Sequence, residues 1–186
     1  KQADKNTYNF SLRLKNNFYV SYSGSIFLNN SEYIAPYGIQ VGMLGKLGWY
    51  ISGRLNGAYL KPYAYESDGD DLMNYPEDQY YKTIDKRNHP LFSVSGGISF
   101  YLGKGFHFNI GGGYGAKKMC RYIDEYSYDN DEKVGEAHFL DKNYTTKGFE
   151  LEGGLMFHTK PLVFNVGYKT LKFDYSAITL GIGIAF

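Results

Sequence analysis

The stretch Tyr175-Ser-Ala-Ile-Thr-Leu-Gly-Ile-Gly-Ile-Ala-Phe186 alternates without a break. Ile178, Leu180, Ile182, Ile184 and Phe186 fall on one face, and Ala177, Thr179, Gly181, Gly183 and Ala185 on the other. A period of two is the period of an extended strand. One face is bulky and apolar; the other is miniature.

The same division recurs in seven further segments, about Phe18 to Leu28, Tyr37 to Leu44, Leu47 to Leu60, Leu91 to Leu102, Phe106 to Lys118, Lys147 to His158 and Leu162 to Leu171. Phe92, Val94, Ile98 and Phe100 oppose Ser93, Ser95, Gly97 and Ser99; Leu162, Phe164, Val166 and Tyr168 oppose Val163, Asn165, Gly167 and Lys169. Gly45-Lys46, Gly103-Lys104-Gly105 and Thr159-Lys160-Pro161 supply tight turns. The alternate links are mostly longer: Asn29 to Pro36, Lys61 to Pro90, Met119 to Thr146 and the brief Lys172 to Asp174. Short turns at one end and longer loops at the other are the pattern of an outer-membrane barrel with its short turns periplasmic. Pairing Val41 with Trp49, Ile98 with Ile110 and Phe157 with Leu162 keeps every bulky residue on one face.

Volume decides which face points inward. An eight-stranded barrel holds little more than a packed lumen or one small ligand, so the bulky set of a lipocalin-like alternative would not fit inside. Reversed, the small residues fill the bore and the bulky ones meet lipid. Arg54, Lys117, Glu150, Glu152 and Lys169 all lie on the small face. On the lipid face near midplane an Arg or Lys would cost about 2–4 kcal/mol. Closure of the sheet removes edges that hydrocarbon could not solvate. The expected fold is therefore all-β, an eight-stranded antiparallel up-and-down transmembrane β-barrel. An even strand number puts both termini on the periplasmic side. Phe18, Trp49, Phe106 and Phe157 would form one interfacial girdle, and Tyr37, Tyr59, Phe92, Tyr114 and Tyr168 the other.

Composition agrees. Among 186 residues, 20 Tyr, 13 Phe and 1 Trp exclude disorder, and 23 glycines suit a crowded bore. Mean hydropathy is −0.42, which a barrel tolerates because only alternate residues are apolar. A net charge of +1 argues against nucleic acid. The lone Cys120 cannot form an internal disulfide, and no Cys/His spacing suggests a zinc site, so neither a metal nor a cofactor is expected.

On these segments the chain resembles the small OmpA/OmpX-type outer-membrane barrels, and more particularly uncharacterised Bacteroidetes barrels with segments such as Gly48-Trp49-Tyr50-Ile51-Ser52 and a Gly-Ile-Gly-Ile-Ala-Phe ending. The likeness runs over about residues 18–186 and carries no catalytic motif. It implies an integral protein of the Gram-negative outer membrane, in contact with its lipids and lipopolysaccharide. Leu180, Ile182, Ile184 and Phe186 are similar to the signal by which the barrel-assembly machinery recognises its clients.

Several residues could carry chemistry. Glu150 and Lys169 fall opposite each other in the expected register; the plain reading is an ion pair plugging the bore, and the sharper one is a gate in which Arg54 and Glu152 exchange partners. His89 and His138 fall in loops, His107 and His158 near the short turns, and none neighbours a plausible nucleophilic serine. That pattern does not suggest a lipid-modifying enzyme. Asp68-Gly69-Asp70-Asp71 and Asp129-Asn130-Asp131-Glu132 lack the spacing of a calcium loop and read as solvated charge. Gly111-Gly112-Gly113-Tyr114-Gly115 has no following helix and belongs to a strand. The two long links hold Tyr63, Tyr65, Tyr75, Tyr80 and Tyr81, and Tyr122, Tyr126 and Tyr128, among charged residues. Tyrosine gives wide contact area at low entropic cost, so these loops suit a protein partner such as another outer-membrane protein, or pack on one another.

The expectation is thus a non-enzymatic barrel, closed to solute, acting as an envelope anchor or an accessory subunit through its loops; the alternatives are a narrow gated channel and, after it, a lipid A-modifying barrel enzyme. The opening Lys1-Gln-Ala-Asp reads as a trimmed terminus. Residues 1–17, where Tyr8, Phe10, Leu12 and Leu14 alternate, could be a further strand or a periplasmic tether to a preceding domain.

Overall fold

The computed structural model describes residues 16–27, 37–56, 63–67, 72–88 and 91–186. The expectations for residues 1–15, for Tyr59, for His89 and for the Asp68 to Asp71 tract fall outside these.

Eight strands close into an antiparallel barrel: β1 (Asn17–Phe27), β2 (Tyr37–Leu44), β3 (Leu47–Leu55), β7 (Leu91–Gly103), β8 (Phe106–Lys117), β11 (Thr146–Thr159), β12 (Leu162–Leu171) and β13 (Tyr175–Ala185). Each pairs with its neighbours along the chain, and β1 meets β13 with Tyr22 opposite Ile182, so no barrel edge is left open. The turn between β7 and β8 needs left-handed backbone at Gly103 (φ 109°) and Gly105 (φ 85°), where a side chain would be strained.

The bulky face points outward. Ile182 is 53% exposed and Phe164 40%, whereas Ser21, Ser93 and Ser99 are each 1% exposed. Exposed apolar side chains surround the barrel on every strand, far beyond the few hundred Å² that a water-soluble monomer normally shows. Trp49, Phe18 and Phe106 stand outward toward the short turns, and Tyr37, Tyr114 and Tyr168 toward the other end. Phe106 and Phe157, directly opposite in the ladder, hold their rings 4.8 Å apart.

Register corrects two expected pairings. Ile98 does face Ile110, but Val41 faces Ile51 rather than Trp49, and Phe157 faces Phe164 rather than Leu162. The β11–β12 turn is tighter than expected, with Thr159 paired to Leu162 across Lys160-Pro161 alone. Each slip is two residues, so every side chain keeps its face.

Two further differences matter more. The bore is not lined by small and polar residues throughout: Tyr19, Leu44, Tyr50, Met156, Val163 and Ala185 form an apolar cluster inside it, mostly at the short-turn end. The long links are also not simple loops. They contribute β4 (Tyr65–Ser67), β5 (Leu72–Met73), β6 (Gln79–Asn88), β9 (Cys120–Ser127) and β10 (Lys133–Asp141), which join in one sheet ordered β5-β4-β10-β9-β6. Tyrosines alternating with charges resemble a loop because no lipid-facing side chain marks them as strands.

Candidate functional site: a charged bore and a tyrosine-bearing sheet

Glycine pairing gives the bore its first plug. Tyr50 lies in register with Gly97, and Gly97 with Gly111, so one large ring faces two residues without side chains. A Cβ built at Gly97 would come within 2.6 Å of the Tyr50 hydroxyl, and one at Gly111 would also strike it. The two glycines are the seat of that ring. Next to it Gln40 Nε2 donates to Tyr19 Oη at 3.0 Å.

Above this layer stand the charges. Lys169 Nζ lies 2.9 Å from Glu150 Oε1 and also pairs with Glu152. It donates to Ser95 Oγ at 2.8 Å, while Ser93 Oγ donates to the same Glu150 oxygen at 2.7 Å. The Tyr50 hydroxyl bonds to Glu152, tying the ring to the charges. Arg54 Nη1 donates to Ser25 Oγ at 2.9 Å. Two carboxylates therefore meet two cations in a buried and electrically balanced group, which the low dielectric of the interior requires. Small voids of about 30 and 20 Å³ flank it, with Arg54 and Lys169 in the wall of each, enough for one or two waters apiece.

Four of the five expected bore charges are thus brought together. The exception is Lys117, buried near the far end of the barrel with Nζ 3.5 Å from the centre of the Tyr175 ring, a cation–π contact. The expected opposition of Glu150 and Lys169 is corrected to Glu152 and Lys169, with Glu150 opposite Leu171; the tighter turn moves the register, and the long lysine side chain spans both acids.

The second sheet gathers the tyrosines into two groups, one on each face. On one face Tyr80 stacks on Tyr126 at 5.3 Å and lies 5.2 Å from Tyr128, with Lys82 Nζ 4.6 Å from the Tyr126 ring. Tyr80 Oη donates to Asp131 at 2.8 Å, and Asn130 bonds to Glu132, so the Asp129 to Glu132 tract serves the β9–β10 turn. On the other face Tyr75 contacts Tyr65 and Tyr81 edge-on at 5.0 and 5.1 Å, and burial pushes the Tyr75 hydroxyl up to about 12. Tyr63 Oη and Lys142 both donate to Glu66, which holds that carboxyl below its ordinary range, Lys142 contributing most. Tyr122 packs against His138 at 5.5 Å. Cys120 is buried, and burial pushes its thiol up, away from the reactive thiolate. His107 is buried in the bore beside Tyr101, at 5.2 Å.

No family model and no curated protein matches this chain. Among solved structures it is similar to Ail, the attachment invasion locus protein of Yersinia pestis, in complex with the heparin analogue sucrose octasulfate: 13% identity over 92% of this chain and 97% of that one, TM-score 0.51. Ail without that ligand gives 15% identity over 94% and 100% with a TM-score of 0.48, and the N-terminal β-barrel domain of Pseudomonas aeruginosa OprF gives 12% over 91% and 97%, also 0.48. At such identities the likeness is one of fold. The chain is an eight-stranded antiparallel transmembrane β-barrel of the outer-membrane type.

Proposed function

We propose that this barrel is a non-enzymatic, solute-closed protein of the Gram-negative outer membrane that anchors or assists a larger envelope assembly through its tyrosine-bearing sheet. The reading puts the short turns and both termini in the periplasm and the sheet outside the cell. The observation that carries it is the pairing of a bore filled by side chains with an ordered second sheet at the long-link end of the barrel. Tyr50, Lys169 and the two glutamates interrupt the passage, while Tyr80, Tyr126 and Tyr128 form a stacked group on a sheet larger than a connection needs. Tyrosine clusters with a cation beside them are suited to protein contact. The barrel-assembly machinery would insert the chain through the Leu180, Ile182, Ile184 and Phe186 face, and lipid and lipopolysaccharide would surround it.

Native purification from membranes, with the triple variant Tyr80→Ser/Tyr126→Ser/Tyr128→Ser as control, tests the assembly role. A partner protein should co-purify with the parent and be lost from the variant. Retention of every co-purifying protein by the variant would contradict it.

The second reading, a narrow gated channel, is favoured only by the water-sized voids on either side of Lys169. In planar bilayers the closed reading expects no steady porin-sized conductance; conductance altered by Glu150→Gln would support the gate instead.

A further inference from the structure

The face of the second sheet opposite the Tyr80 stack holds a cavity of about 290 Å³, far larger than the voids of about 30 and 20 Å³ in the bore and close to the lower limit of ligand pockets, about 300 Å³. Its wall includes Ser67, Thr83, Arg121, Asp141, Asn143 and Tyr144. Four strands and the turn after β10 build it. Ser67 faces Asp141 across the parallel β4–β10 pair, Thr83 and Arg121 come from β6 and β9, and Asn143 and Tyr144 lie in the 3-10 turn Lys142–Tyr144.

Charge narrows the ligand. Asp141 is 5% exposed and its Oδ2 lies 3.0 Å from Arg121 Nε, so the only two charges among these residues compensate each other. A phosphate, sulfate or carboxylate would have to compete with Asp141 for the guanidinium and would meet that buried carboxylate as a like charge. Neutral hydroxyls do not. The remaining donors and acceptors are hydroxyls and an amide, each able both to give and to take a hydrogen bond. Tyr144, 54% exposed, presents its ring at the rim with the Arg121 guanidinium 5.5 Å from its centre, and Tyr81 supplies a second ring. Aromatic plates beside paired hydroxyl, amide and carboxylate groups match a ring that has apolar C–H faces and an equator of hydroxyls.

We infer that this cavity binds one neutral sugar unit, with Tyr144 stacking on a ring face and Arg121, Asp141 and Asn143 bonding its hydroxyls. The site lies on the face opposite the Tyr80 group and does not depend on the partner proposed above. A sugar could come from a free saccharide or from a lipopolysaccharide glycan, and both present the same chemistry.

The test is saturation-transfer NMR on the full chain refolded in dodecylphosphocholine, whose head group carries no sugar. The probes are methyl α-mannoside, methyl β-glucoside, methyl β-galactoside, a purified lipopolysaccharide core oligosaccharide and sucrose octasulfate. At least one neutral glycoside should receive saturation, with Kd on the order of 1 mM or tighter. Tyr144→Ala, at an exposed rim position that leaves the Arg121–Asp141 pair in place, should raise that Kd about tenfold or more, and Tyr144→Phe should keep it within about twofold, as expected for a stacking contact. Transfer to the core oligosaccharide as well as to the monosaccharide supports a lipopolysaccharide source; transfer to the monosaccharide alone supports a free one. Absence of transfer to every neutral probe, binding of sucrose octasulfate alone, or a Kd unchanged in Tyr144→Ala overturns the proposal.

Discussion

Glu150 stands opposite Leu171 in the β11–β12 ladder, yet its Oε1 lies 2.9 Å from Lys169 Nζ, two residues along the partner strand. The ammonium thus serves two acids at once, its own cross-strand neighbour Glu152 and the more distant Glu150. Removing it leaves the two acids with Arg54 alone. Lys169→Met should cost about 3–5 kcal/mol, the usual result of leaving buried charge unpaired, whereas Lys169→Met/Glu152→Gln, which leaves Glu150 to balance Arg54, should recover part of that loss. Urea titrations of the refolded barrel, read by heat-modifiable gel mobility, measure both. Equal losses in the single and double variants would show that the charges are not energetically joined.

The Tyr50 seat offers a second test. Gly111→Ala puts a methyl group against the Tyr50 hydroxyl and against the neighbouring backbone, and overpacking of this kind costs about 1–3 kcal/mol. In a Tyr50→Phe background the hydroxyl contact is gone, so Gly111→Ala should cost less there. The difference between the two costs, from the same urea titrations, should be positive and about 0.5 kcal/mol or more. Strict additivity would mean that Tyr50 does not rest on Gly111.

Much of this was legible in the residues because a membrane strand announces itself on one face. Ile178 to Phe186 and Phe92 to Phe100 alternate bulky with tiny side chains, and closure, strand number and orientation follow from that contrast alone. The registers at Val41 and Phe157 were not, because a slip of two leaves the alternation unchanged and only turn geometry distinguishes the choices. Tyr19 and Tyr50 escaped for a different reason: an aromatic on the small face needs miniature residues opposite it, and Gly42 and Ala185 beside Tyr19, like Gly97 and Gly111 beside Tyr50, become meaningful once strands are paired. The second sheet, with its cavity, was hidden because it forms only when the β9–β10 hairpin of one long link pairs with β6 and β4 of the other. Tyr65 pairing in parallel with Phe139 leaves no local trace.

Outside the barrel, Glu66 links two parts of the sheet by accepting from Lys142 and Tyr63. A carboxyl whose folded pKa is depressed contributes above its unfolded pKa, and the contribution is lost as pH falls through the lower, folded value. The Glu66 carboxyl carbon should therefore titrate with a midpoint below the ordinary carboxylate range in NMR spectra of the refolded protein. Lys142→Met should move that midpoint upward, since Lys142 is the main cause of the depression. Added salt should do the same more weakly, because both groups are part exposed. A midpoint insensitive to Lys142→Met would contradict the pairing.

The orientation of the sheet underlies every conclusion drawn for the bore, and the single tryptophan makes it measurable. Trp49→Phe/Phe164→Trp moves the fluorophore to an outward-facing position on β12. In bilayers of acyl-brominated phosphatidylcholine its emission should be strongly quenched relative to unbrominated lipid, while aqueous iodide leaves it nearly unchanged. Emission indifferent to bromine would place residue 164 inside the barrel and reverse the assignment of its two faces.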